Sequence, residues 1–222
     1  LSRKEQADRQ RGMLEQASIS AGATASATSK AESGAARLRQ QNQPALAARV
    51  EAISAAVAEA TSGAELAKAS SEGTALAAEL RERGLAAEAR ALEASSAHMG
   101  EGAQAELAKE ALATAHAVDV ACAEAVLLGD ALTHSLEVAG VADAADVVGE
   151  AMQAAKKGDE ASSRELSRAA AEVQAVSEMP RVLGNKKLAS DVDALVTKMK
   201  AMGRELSRKE QADRQRGMLE QA

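Results

Sequence analysis

Apolar residues recur along most of this chain in alternating steps of three and four, the spacing that gathers them on one face of a helix. Leu188, Val192, Leu195, Met199, Met202 and Leu206 keep a 4-3-4-3-4 rhythm without error. Val118, Cys122, Ala125, Gly129, Leu132, Leu136 and Ala139 keep the same rhythm with smaller side chains. The pattern predicts helices over 1–42, 44–83, 85–139, 141–179 and 185–222. They are separated at Asn42-Gln43-Pro44, Gly84, Gly140 and the stretch from Met179-Pro180 to Gly184. Pro44 suits the first turn of a helix and Pro180 suits a stop. Breaks at Gly63, Gly102, Gly158 and Gly203 would instead give short hairpins stacked as a solenoid. Since glycine costs only about 1 kcal/mol inside a helix, propensity leaves both partitions open.

Composition narrows the function classes. The 222 residues contain no Phe, Tyr or Trp, while Ala occurs 57 times and Leu, Ile and Val together 37 times. So few large apolar residues raise disorder as an alternative, but a net charge of −6 is too small to drive it, and disorder keeps no helical register. Aromatic rings are the usual platforms for bases, sugars, haems and nicotinamides, so their absence disfavours cofactor and nucleic-acid functions. The mild acidic excess adds to the case against nucleic acid. A single cysteine, Cys122, cannot form an internal disulfide. The most apolar stretch, 117–132, carries Asp119, Glu124 and Asp130, and no apolar run follows the basic opening LSRKEQADRQRG. The expectation is a cytoplasmic chain with no signal peptide and no transmembrane segment.

The strongest signal is a duplication: Leu1–Ala17 and Leu206–Ala222 are the same seventeen residues without a substitution. This predicts a tandem array with a period of 205 residues, in which 206–222 begins the next repeat and neighbouring copies are each other's partners. A weaker recurrence lies inside the period, as ELAK at 65–68 and 106–109 and ELSR at 165–168 and 205–208. Their alternating short and long gaps predict two related halves of roughly 100 residues. The expected domains are a first helical bundle over 1–112 and a second over 113–222, sharing the long helix 85–139 and another that crosses the repeat junction.

An all-helical array with this half-period, one separate middle helix per half and long helices shared across junctions resembles the spectrin repeat. That resemblance implies an all-α fold of elongated tandem three-helix bundles. The Ala-rich, aromatic-poor composition is similar to the rods of talin and vinculin. Long, nearly identical helical repeats also resemble the giant cytoskeletal linkers of trypanosomatids, of the tripartite attachment complex type. These likenesses imply a structural spacer or tension-bearing linker associated with the cytoskeleton, or else an adaptor whose bundle faces bind cytoskeletal proteins.

Reactive chemistry is sparse. His98, His116 and His134 are spaced 18 residues apart, five turns each, so they share one face but lie roughly 27 Å apart along a helix. One metal cannot bridge them, and Asp119 and Asp130 add one carboxylate each, short of a zinc set. Cys122 falls on the apolar seam and reads as a small buried hydrophobe. HMGEG at 98–102 lacks the lysine and preceding strand of a phosphate loop. Beyond Leu206 the seam runs into Lys209 or Glu210, Asp213 and Arg216, charges that no core accepts unpaired, so SRKEQADRQRG reads as a solvated helical connector or a docking site. The sequence therefore offers no catalytic, cofactor or metal residues, and the expected protein is not an enzyme.

Overall fold

The computed structural model describes residues 3–178 and 184–220. The break expected at Met179-Pro180 lies outside these residues. Seven α-helices are described: α1 (Arg3–Gln40), α2 (Pro44–Glu59), α3 (Gly63–Glu82), α4 (Ala86–Val138), α5 (Ala142–Lys156), α6 (Ser163–Val176) and α7 (Lys186–Glu220). A 3-10 turn at Gly158–Glu160 precedes α6, and no strand occurs among the described residues. The all-helical expectation holds. So does the rhythm of the 188–206 seam, whose six members are all buried. In the 118–139 run, Val118, Ala125, Leu132 and Leu136 are buried, Cys122 is half-buried and Ala139 is exposed.

The chain forms two compact units, Ala7–Leu112 with Ala212–Ala222, and Ala113–Gln211 with Leu1–Gln6. In the first, α1, α2, α3 and the N-terminal half of α4 enclose a core of Leu38, Leu46, Val50, Leu76, Leu80, Leu92 and Met99, with Ala27, Ala31 and Ala35 where backbones approach closely. Neighbours run antiparallel. Arg49 on α2 pairs with Glu79 on α3 at 2.6 Å, Arg81 on α3 pairs with Glu93 on α4, and the Ser95 hydroxyl on α4 donates to the Ala27 carbonyl on α1 at 2.7 Å. In the second unit, the C-terminal half of α4 packs with α5, α6 and α7 around Leu136, Val148, Met152, Leu166, Val173, Leu195 and Met199. There Lys156 on α5 meets Asp130 on α4 at 3.1 Å, and Lys198 on α7 meets Glu124 on α4.

Four helices per unit correct the three-helix bundles that the spectrin likeness implies. The continuous helices expected over 44–83 and 141–179 are each split in two. A local cap marks each new helix start: Ser62 accepts from the Glu65 N–H at 3.3 Å, while the Glu65 carboxylate accepts from the Thr61 N–H at 2.7 Å. Ser162 and Glu165 form the full reciprocal capping box, at 3.1 and 2.9 Å. Of the four glycines that could break helices, Gly63 and Gly158 stand at breaks, whereas Gly102 and Gly203 lie inside α4 and α7. The ELAK and ELSR motifs divide the same way. Those at 65 and 165 open helices, and those at 106 and 205 are helix interior.

The other helix ends follow the sequence closely. Asn42 (φ 59°), Gly84 (φ 78°) and Gly140 (φ 76°) take the left-handed conformation that closes α1, α3 and α4. Each closure carries the same long backbone bond, Gln43 N–H to Leu38 O, Leu85 N–H to Leu80 O and Val141 N–H to Leu136 O, at 2.9–3.0 Å.

Gly63 is required for another reason. A β-carbon there would stand 2.5 Å from Leu107 Cγ and 2.8 Å from the Ala103 carbonyl oxygen, a backbone atom that cannot swing aside. Gly63→Ala is therefore expected to destabilise the first unit by about 1–3 kcal/mol through overpacking. Gly22→Ala and Gly149→Ala, with open space around them, should stabilise by about 0.5–1 kcal/mol. Thermal unfolding of the three variants checks the sign, and a stabilised Gly63→Ala would contradict the close approach of α3 to α4.

Candidate functional site

In the first unit α2 stops at Glu59 while α1 and α4 continue, which leaves a groove of about 560 Å³ beside the end of α2. Its walls are Ala17–Glu32 of α1 and Val57–Ser62, with Leu66, Glu106 and Lys109 at the far side. Hydroxyl groups dominate it: Ser20, Thr24, Thr28, Ser29, Thr61 and Ser62. Three of the six donate to local partners, two to backbone carbonyls and one to a carboxylate. Thr24 donates to the Ser20 and Ala21 carbonyls and Thr28 to the Thr24 carbonyl, all at 3.0 Å, while Thr61 Oγ1 donates to Glu65 at 3.0 Å. Lys109 pairs with Glu106. The groove thus shows no nucleophile held by a base and no converging set of free donors.

The carboxylates at the caps are the groups with the clearest electrostatic signature. Glu65 is held below the ordinary glutamate value of 4.5, first by the Thr61 N–H, and Glu165 likewise, first by the Ser162 N–H and then by Lys157. The Arg49 guanidinium holds Glu79 down in the same way. A lowered folded-state pKa means stabilisation that is present above the unfolded value and lost as the pH falls through the folded one. The midpoint of thermal unfolding should therefore fall on acidification below about pH 4.5, and the double variant Glu65→Gln, Glu165→Gln should show a shallower acid decline. An unchanged decline would show that the caps contribute nothing to it.

The histidines are dispersed along α4. His98 bridges Lys30 (Nε2–Nζ 2.7 Å) and Glu101 (Nδ1–Oε2 3.0 Å), and His134 lies 3.8 Å from Glu137. His116 has its Nδ1 buried without a hydrogen-bond partner. Among the described residues no three His, Cys, Asp or Glu side chains gather where a metal ion could be held. Cys122 sits at the core edge rather than fully inside it, with its thiol directed at the Ala155 carbonyl. Burial, aided by the Asp119 carboxylate, pushes that thiol up and so away from nucleophilic character.

One feature escaped the sequence reading and a second was discounted by it. Glu110, at 3.2 Å, accepts from the Gly63 N–H at the start of α3, and Glu210, at 2.9 Å, accepts from the Ser163 N–H and hydroxyl at the start of α6. Both braces span 47 residues, and each satisfies a donor at a helix start. Glu210 is thus a structural ligand of α6, not a solvated connector charge. The only sequence signal was a glutamate one residue beyond the interior ELAK and two beyond the interior ELSR.

The second feature is the apolar midsection of α4. An 18-residue window of this helix reaches a mean hydropathy of 1.6, so by length and composition it is apolar enough to cross a membrane, although the sequence reading discounted the stretch for its charges. Only 11% of the window is buried. Its buried members, Val118 and Ala125, belong to the second core, and Val120 and Leu127, one heptad apart, are 44% and 76% exposed. In comparisons with protein-family models, curated proteins and solved structures, nothing matches this chain.

Proposed function

We propose that this chain is one copy, with the opening of the next, of a tandem helical array with a structural and non-enzymatic role. Its role is that of a spacer or tension-bearing linker in the cytoplasm, attached to the cytoskeleton. The observation that carries this reading is the exact recurrence of seventeen residues at a separation of 205, with the described parts of both copies lying within long unbroken helices. An identical sequence that is helical at the start of α1 and at the end of α7 supports one helix running through the junction. The matching caps and glutamate braces of the two units support an older duplication inside the period.

Long-read sequencing of the whole gene, with the mass of the native protein, tests the array. Many near-identical copies are expected, and a single copy would overturn the reading. An adaptor is the second reading, favoured by the exposed pair Val120 and Leu127. If it holds, the chain should co-sediment with purified actin filaments or microtubules, and Val120→Lys with Leu127→Lys should abolish that. Absence of co-sedimentation in both forms would set the adaptor aside.

A further inference from the structure

Resting on the tandem reading, we infer that the docking partner of each copy is the next copy, seated beside it and not beyond its far end. The argument is one of parity. An odd number of antiparallel helices delivers the chain to the opposite end of a bundle, whereas an even number returns it to the end where it entered. Both units are even. In the first, α1 and α4 meet near the unit's two chain ends: a β-carbon on Gly12 would lie 3.3 Å from Leu112 Cδ1. In the second, the Glu124–Lys198 pair holds α4 and α7 side by side, each within a few turns of where the chain enters and leaves. A copy built of units that each return the chain to the end where it entered hands the chain on to a neighbour at its side.

The lengths of those long helices agree. On α4, the brace Glu110 precedes the closing Gly140 by 30 residues, and across the junction Glu5, the counterpart of Glu210, precedes the closing Asn42 by 37. The difference is one heptad. Seven residues add roughly 10 Å but turn the helix by only about 20° from its starting face, so the junction helix presents its seam to the next core as α4 does.

Small-angle scattering of proteins carrying one, two and three copies tests this. Each added copy is expected to lengthen the particle by about 20–40 Å, two to four helix diameters. An increment near 80 Å, the span of a 53-residue helix at about 1.5 Å per residue, would overturn side-by-side seating while leaving the array itself intact. A gene with a single copy would instead remove the array on which the inference rests.

Discussion

Leu80→Ala is expected to cost about 3–5 kcal/mol, a large part of the margin by which a domain of this size is stable. Leu80 is fully buried on α3 and belongs to a core whose other members include Ala27, Ala31, Ala35, Ala77 and Ala89. Alanine has no side-chain rotamers with which to fill a void, so the neighbourhood of Leu80 has little means of collapsing onto the cavity. The few large residues in an alanine-rich core also contribute most of its buried area, at about 25 cal/mol per Å². Leu127→Ala, at a 76% exposed position, should change stability by no more than about 0.5 kcal/mol. Denaturant titration compares the two, and a cost below about 1 kcal/mol for Leu80 would mean that the core is not packed as described.

Gln211→Pro is expected to cost about 3 kcal/mol or more, because it removes a backbone bond inside α7 and drives Glu210 out of helical geometry. The loss of Glu210 from the start of α6 adds to the effect, since it leaves the Ser163 N–H without its acceptor. The duplication supplies an internal control. Gln6 is the same residue in the same sequence, but it lies in the opening turn of α1, where proline removes one turn and no more. The melting temperature should fall sharply for the first variant and little for the second. Equal effects would show that α7 gains nothing from its continuity through 207–217, and the single helix proposed across the junction would lose its support.

The sequence by itself determined the helical class, the register of the 188–206 seam and the ends of α1, α3 and α4, because each depends on residues within a turn or two. Asn42, Gly84 and Gly140 close helices with their own backbone freedom, and the three-four spacing of leucines and methionines is the core face. The tertiary structure alone decided whether the helices over 44–83 and 141–179 would stay whole. The local cap was legible in Ser62-Gly63-Ala64-Glu65 and Ser162-Ser163-Arg164-Glu165, but alanine-rich sequence on either side favours helix just as strongly. What tips the balance lies 40 to 47 residues away, in the Ala103 carbonyl against Gly63 and in Glu110 and Glu210 on the new helix starts. The middle helix of each unit thereby becomes two, and three helices become four. The parity of each unit, and with it the direction in which the chain leaves, follows from these long-range contacts because a helix start is stable only where its free N–H groups find partners.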